Sequence, residues 1–118
     1  SRTAVAVAAR YLDTNPTGRR SLWCADFVGL VEEKVKRPGT GSRSARSYLD
    51  YGRPVPLSEA RPGDIVVTWR GSPRSRKGHV GYFIAFRDGK VELISGNVSN
   101  RVRYSKYARS RVLGARRP

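Results

Sequence analysis

Apolar residues near the start of the chain recur at the spacing of an α-helix. In the stretch "SLWCADFVGLVEEKVKR", Trp23, Phe27, Leu30 and Val31 fall at positions i, i+4, i+7 and i+8. This spacing aligns them in one apolar stripe that can pack against a neighbouring layer. Ser21 is a residue type that caps helix N-termini, so it predicts the start of this helix.

Two further segments of the first half have helical character. Residues 3–12 are rich in alanine and predict a first helix, which an Asn-Pro pair and a glycine interrupt after residue 12. Residues 44–52 predict a short third helix that ends at Gly52. Prolines at positions 54, 56 and 62 then predict an extended loop.

From Asp64 onward the pattern becomes that of β-strands. Strands are predicted over residues 64–69, 79–86 and 90–95, with one or two more over residues 101–107 and 111–117. Helices followed by antiparallel strands predict an α+β fold, with the helices packed on a sheet of about four to six strands. The 118 residues are enough for one domain over residues 1–118.

The composition is strongly basic. Lysine and arginine number 24 against 9 aspartate and glutamate residues, which gives a formal net charge of +15. This charge favours an anionic partner such as nucleic acid, anionic lipid or an anionic cell-wall polymer, and does not choose among them. No apolar run approaches the ~20 residues of a membrane span. The chain lacks methionine, and we expect any export signal to lie outside it.

The only cysteine, Cys24, falls in the first turn of the predicted second helix. Free backbone N–H groups and the helix dipole favour an anion there, which predicts a thiol pKa below the usual ~8.5 and fast alkylation below about pH 8. The alternative is an unreactive cysteine that fills space in the core. One cysteine and one histidine do not suffice for a structural zinc site, so we expect no metal or cofactor. A nucleophilic cysteine needs a base instead.

The only histidine, His79, opens the strand at residues 79–86, and the following turn decides which residue faces it. A three-residue "RDG" turn pairs Phe86 with Lys90 and places His79 opposite Asn97. A two-residue Asp-Gly turn would place His79 opposite Val98 instead. The three-residue turn keeps the apolar residues of both strands on one face, so it is the preferred register.

In that register Asn97 can accept a hydrogen bond from the imidazole and fix its orientation without adding negative charge. Ser95 and Glu92 are weaker candidates for the same position. A plain turn role for Asn97 is the alternative.

The blocks "WCADFVGLV", "GTGSRSARSYLDYG", "RPGDIVVTWR", "GHVGYFIAF" and "SGNVSN" occur in the order seen in CHAP and NlpC-type cysteine peptidases. The chain resembles this family from about residue 23 to residue 114. The resemblance implies a papain-like α+β fold, with Cys24 as nucleophile, His79 as base and Asn97 as the residue that orients it. Two departures are Trp23, where NlpC-type members often have aspartate, and Ser95, where CHAP members often have glutamate.

Members of this family typically cleave amide bonds of bacterial peptidoglycan. The resemblance implies a metal-independent endopeptidase or N-acetylmuramoyl-L-alanine amidase that acts on stem peptides through a thioester on Cys24. It also implies a secreted, periplasmic or cell-envelope location, with a phage lysin or an injected effector as further sources. We expect a monomer.

Four residues close to Cys24 and His79 in the sequence are candidates for substrate binding: Trp23, Trp69, Arg70 and Tyr82. Arg70 opens a basic loop over residues 70–78, which could attract the carboxylates of stem peptides or the phosphates of wall polymers. A solvated loop and core packing of the aromatic residues are the alternatives.

Two other functions stay open. A non-enzymatic module that binds nucleic acid or wall polymer is favoured by the charge, and by Tyr104 and Tyr107 among the arginines of residues 101–117. An acyltransferase or transpeptidase would use the same thiol chemistry with an amine as the acceptor.

Overall fold

The computed structural model describes residues 2–118, and Ser1 lies outside the described residues. Helices α1 (Arg2–Ala9) and α2 (Cys24–Lys34) are followed by six strands: β1 (Arg53–Val55), β2 (Ile65–Trp69), β3 (Gly78–Arg87), β4 (Lys90–Val98), β5 (Arg101–Tyr107) and β6 (Val112–Arg117). Short 3-10 helices lie at Ala45–Asp50, Leu57–Glu59 and Arg109–Arg111. The predicted third helix is thus a 3-10 helix, and α1 ends earlier than residue 12.

The strands form one antiparallel sheet in the order β1-β6-β2-β3-β4-β5. The predicted α+β fold, with helices first and an antiparallel sheet after them, is confirmed. The proline-rich stretch that was predicted as a loop contributes β1. Pro54 is tolerated there because β1 is an edge strand that pairs only with β6. Its other side has no neighbouring strand, so the missing N–H of proline costs no hydrogen bond on that side.

Helix α2 is held on the sheet by its apolar face. Trp23, Phe27 and Val31 of the predicted stripe are fully buried, whereas Leu30 is half-buried at its margin. These side chains share one core with strand residues such as Val80. Burying each such side chain contributes roughly 1.5–3 kcal/mol, so this contact is a main determinant of where α2 sits.

The predicted N-cap, Ser21, is wrong, because α2 begins at Cys24 with Trp23 in the capping position. The first helical hydrogen bond runs from the Phe27 N–H to the Trp23 carbonyl at 2.9 Å. The Trp23 side chain makes no capping bond. Its buried indole instead donates from Nε1 to Asn100 Oδ1 at 3.0 Å. Tertiary packing of Trp23, and not a polar cap, therefore sets the start of the helix.

The preferred register of the β3–β4 turn is also wrong. Lys90 pairs with Arg87 and not with Phe86, so the turn has two residues. Asp88 and Gly89 have φ values of 53° and 71°, as a type I′ turn requires. This turn is favoured because its twist matches the right-handed twist of the strands that it joins.

A bulge in β3 then shifts the pairing by one residue. It lies between Phe83 and Ala85, and beyond it Phe83 pairs with Leu93 and Tyr82 with Ile94. These two pairs are the ones that the three-residue turn had predicted. The error at the turn is therefore cancelled before the strand reaches the site.

Gly96 on β4 allows α2 to approach the sheet closely. A Cβ atom at Gly96 would lie 2.6 Å from Cζ3 of Trp23 and 2.7 Å from Cβ of Phe27, both distances shorter than any normal contact. The absence of a side chain at this position therefore sets the distance between the start of α2 and the sheet.

We expect Gly96→Ala to lower the free energy of unfolding by about 1–3 kcal/mol, because the added methyl overpacks the core at Trp23. Gly29→Ala in α2 is the matched control. Its Cβ would have Tyr48 Oη as nearest neighbour at 3.7 Å, so it should be neutral or stabilise by up to ~1 kcal/mol. Urea unfolding measures both variants. Equal effects of the two substitutions would contradict this account of Gly96.

Candidate active site

Three backbone N–H groups surround the Cys24 thiol. Because the first helical bond comes from Phe27, the N–H groups of Cys24 and Ala25 have no partner within α2. Both lower the pKa of the Cys24 thiol by hydrogen bonding, and so does the N–H of Val80 on β3. Cys24 is only 7% exposed. It therefore lies against the sheet at Val80, the residue that follows His79.

The imidazole of His79 is held from two sides. Its Nε2 shares a hydrogen bond of 2.7 Å with Oγ of Ser95 on β4. Its ring stacks on Tyr107 of β5, with centroids 5.3 Å apart and planes inclined by 27°. His79 is 7% exposed. Since the Val80 N–H contacts the thiol, Cys24 and His79 lie at the same end of β3.

The prediction of a hydrogen bond between His79 and Asn97 is wrong. In the described part of the chain the side chain that bonds the ring is Ser95. The β4–β5 pairing is irregular between Ser95 and Val98, and Asn97 has a left-handed φ of 59°. The chain thus leaves the regular ladder just before Asn97, so the simple extension of the register fails there.

Ser95 reaches His79 because Gly81 on β3 has no side chain. A Cβ atom at Gly81 would lie 2.6 Å from Cβ of Ser95 and 2.9 Å from the carbonyl oxygen of Ile94. Any larger residue at this position would push Ser95 away from the ring. Gly81 therefore belongs to the framework of the site, although it carries no functional group.

Burial keeps both reactive groups neutral at pH 7. It raises the pKa of the Cys24 thiol, and this effect outweighs the backbone N–H groups and the nearby Arg70, which lower it. Burial, with a smaller effect of Arg70, lowers the pKa of His79 from 6.5 to about 4. The predicted lowering of the thiol pKa is therefore wrong, because desolvation of the thiolate exceeds the stabilisation at the helix terminus.

Two adjoining cavities open at the site. The thiol cavity, of about 610 Å³, is bordered by Leu22, Cys24, Arg43, Arg70, Arg76 and Lys77, among others. The imidazole cavity, of about 240 Å³, is bordered by Trp69, Arg70, His79, Asn97, Tyr107 and Arg111, among others. Arg70 and Asn97 border both cavities. Together they form a cleft with the thiol on one side and the imidazole on the other.

The four residues predicted to bind substrate divide into two groups. Trp69 and Arg70 border the cleft, and Arg70 is exposed. Trp23 and Tyr82 are fully buried, so the prediction that they bind substrate is wrong. The hydroxyl of Tyr82 donates to Oε2 of Glu32 at 2.8 Å inside the core. An alternating strand pattern does not distinguish a buried aromatic from one at a cavity wall.

The stacking of Tyr107 on His79 was not predicted. It depends on the register of β5 against β4, in which Tyr107 pairs with Val91. Ser99 and Asn100 form the turn between these strands in left-handed conformations, and the pairing shifts between Ser95 and Val98. The sequence contains no short motif that predicts this shift, so the register of β5 could not be read from it.

Among residues 2–118, no group of three or more histidine, cysteine, aspartate or glutamate side chains could hold a metal ion. No helix in the same range is long and apolar enough to cross a membrane.

Comparisons with known proteins identify the fold. Neither a protein-family model nor a curated protein matches the chain. Solved structures do match, over 98% of this chain. The peptidoglycan hydrolase RipB from Mycobacterium tuberculosis is 20% identical, with a TM-score of 0.66. RipD from the same organism, described as a non-catalytic NlpC/p60 domain protein adapted to peptidoglycan binding, is 13% identical with a TM-score of 0.68. An NlpC/P60 family protein from Bacillus cereus is 16% identical with a TM-score of 0.68.

The chain spans 63% of the RipB chain, 39% of the Bacillus cereus chain and 95% of the RipD chain. At these identities the likeness is one of fold. The protein thus has the α+β fold of NlpC/P60 proteins, a group that contains both a peptidoglycan hydrolase and a non-catalytic member.

The buried imidazole predicts a loss of stability in acid. Below pH 6.5 the unfolded chain protonates His79, whereas the folded chain does so only near pH 4. The contribution of the neutral ring to the free energy of unfolding is therefore fully present above pH 6.5. Acidification to pH 4 should lower the free energy of unfolding by roughly 3 kcal/mol. Urea unfolding at each pH measures this change. Between pH 6.5 and pH 4 the free energy of unfolding of the wild type should fall by roughly 3 kcal/mol more than that of His79→Gln, which has no titrating ring. Parallel pH profiles of the two proteins would contradict the buried neutral imidazole.

The raised thiol pKa predicts slow alkylation. We expect the rate of reaction of native Cys24 with iodoacetamide to keep rising with pH beyond the ordinary thiol pKa of ~8.5, because burial raises the pKa of this thiol. At about pH 8 the native protein should react more slowly than the same chain unfolded in urea, because burial disfavours the thiolate and limits access. A pH-independent fast rate over about pH 5–8 would instead indicate a standing thiolate–imidazolium pair.

Proposed function

We propose that this protein is a cysteine-dependent hydrolase that cleaves an amide bond of bacterial peptidoglycan. One observation carries the proposal: the Cys24 thiol, at the start of a helix, contacts the residue that follows His79, the only histidine. A nucleophile and a base are thereby brought to one cleft. The likeness in fold to the peptidoglycan hydrolase RipB supports the choice of substrate.

The first step needs the correct tautomer of His79. If Nε2–H donates to Ser95 Oγ, Nδ1 is unprotonated and can accept the thiol proton. The Cys24 sulfur then attacks the carbonyl carbon as its proton passes to the ring, and the carbonyl oxygen becomes an oxyanion. The N–H groups of Cys24 and Ala25, which have no partner within the helix and point towards the sulfur, can donate to that oxygen.

In the second step His79 gives its proton to the leaving amine, the C–N bond breaks and a thioester on Cys24 remains. Water then attacks the thioester while His79 takes a proton from it. The products are a carboxylic acid and the regenerated thiol. No charged pair has to exist before substrate arrives, which agrees with the pKa directions of both groups.

The bond cleaved is either an amide within the stem peptide or the one between N-acetylmuramic acid and L-alanine. Because peptidoglycan lies outside the cytoplasm, we propose that the protein acts in the cell envelope or after secretion.

Non-catalytic binding of peptidoglycan is the second candidate function. The likeness to RipD, of which this chain spans 95%, supports it. The presence of both Cys24 and His79 in one cleft favours catalysis over binding alone.

Mass spectrometry of purified peptidoglycan fragments in H₂¹⁸O tests the proposal. The wild type should insert one ¹⁸O atom at a single amide, and Cys24→Ala should give no product. His79→Ala should be slowed by about 10²- to 10⁴-fold, the usual contribution of a general base. Ser95→Ala should be slowed less, and Ser58→Ala, an exposed serine far along the chain, should behave as wild type.

Each other outcome selects an alternative. Fragments that bind without any cleavage would indicate a binding protein. Products that carry an added amine in place of ¹⁸O would indicate an acyltransferase or transpeptidase. Full activity of both Cys24→Ala and His79→Ala would refute the proposed site.

A further inference from the structure

Arg70 occupies the junction of the cleft. It directly follows β2, it is exposed, and it borders both the thiol cavity and the imidazole cavity. The reaction requires the acyl half of the substrate to lie beside Cys24, and the leaving half beside the ring that protonates it. A side chain that borders both cavities therefore lies next to the bond that is cleaved.

Arg70 also has no carboxylate partner among residues 2–118. Arg43 contacts Asp26 at 3.2 Å, and Arg111 lies over the ring of Trp69, 4.8 Å from its centroid. Arg76 and Lys77 border the thiol cavity alone, so Arg70 is the cation that reaches both cavities without a carboxylate partner. Within the described chain, no aspartate or glutamate borders either cavity. The positive charge at the junction is thus left for a ligand to neutralise.

We propose that Arg70 binds a carboxylate that the substrate carries beside the amide attacked by Cys24. The inference rests on the proposed function and adds to it the chemical group that the site selects. A guanidinium can bind a carboxylate through two parallel charged hydrogen bonds, which fixes orientation as well as position. A substrate held in this way has its neighbouring amide placed between thiol and imidazole.

The same contact would strengthen the base. The titratable or charged side chains that contact His79 or border its cavity are Tyr107, Arg70 and Arg111, and Ser95 hydrogen-bonds the ring. Only the two arginines among them carry charge at neutral pH. The charge of Arg70 lowers the pKa of His79, so a carboxylate that neutralises it should raise that pKa. The ring would then accept the thiol proton more readily in the complex than in the free protein.

The first test compares two peptides that differ only in one group, a carboxylate or a carboxamide next to the scissile amide. The wild type should prefer the carboxylate by about tenfold or more in kcat/KM, as expected for a charged hydrogen bond. Arg70→Gln should lose this preference, and Arg70→Lys should keep part of it. Arg74→Gln removes the same charge from the same exposed loop but borders neither cavity, so it should retain the preference. A preference that survives in Arg70→Gln would overturn the proposal.

The second test does not depend on activity. His79 is the only histidine, so its ring gives one NMR titration, which can be followed in Cys24→Ala. In Cys24→Ala the carboxylate peptide should raise the pKa of His79, whereas the carboxamide peptide should not. In the double variant that also carries Arg70→Gln, neither peptide should raise this pKa. Equal shifts with both peptides, or no shift with either, would overturn the proposal. If inorganic phosphate raises the pKa of His79 and the carboxylate peptide does not, the ligand of Arg70 is a phosphate group, as in a wall polymer, and the carboxylate proposal is overturned.

The two tests separate two failures. Absence of cleavage of every peptide, together with the expected NMR shifts, would refute the proposed hydrolase and leave the carboxylate site standing. Cleavage with no difference between the two peptides would refute the carboxylate site alone.

Discussion

The packing of the start of α2 against β4 is the contact on which the site depends. Trp23 and Phe27 are buried against Gly96, which has no side chain to hold them off. This contact brings the first turn of α2 down to the sheet, so that the Cys24 thiol meets the Val80 N–H. Because interiors are close-packed, a small displacement of the helix would move the thiol away from Val80 and so from the end of β3 that carries His79.

The same packing removes water from the reactive groups and so changes their chemistry. A buried thiol and a buried imidazole both favour their neutral forms, and Arg70 adds to this for His79. Ser95 and Tyr107 thus hold an uncharged imidazole in place. In the reaction that we propose, the fold supplies the orientation of the imidazole in advance, and charge separation arises only when substrate is bound.

The parts that could be predicted from the sequence are those governed by local periodicity. The apolar stripe located α2 and its buried face, and the alternating stretch after residue 64 located the strands of the sheet. The parts that could not be predicted depend on distant contacts. The start of α2 is set by the burial of Trp23, and the partner of His79 is Ser95 because a bulge, a type I′ turn and Gly81 together determine the pairing.

By itself the sequence determined that one cysteine falls in the first turn of a helix and one histidine at the start of a strand, because periods of 3.6 and 2 residues are local properties of the chain. Only the tertiary structure decided that the thiol lies against the residue next to His79, that Ser95 and not Asn97 hydrogen-bonds the ring, and that the thiol pKa is raised. The helix terminus acts on Cys24 locally, but desolvation comes from every element packed around it, and at this site desolvation is the larger effect.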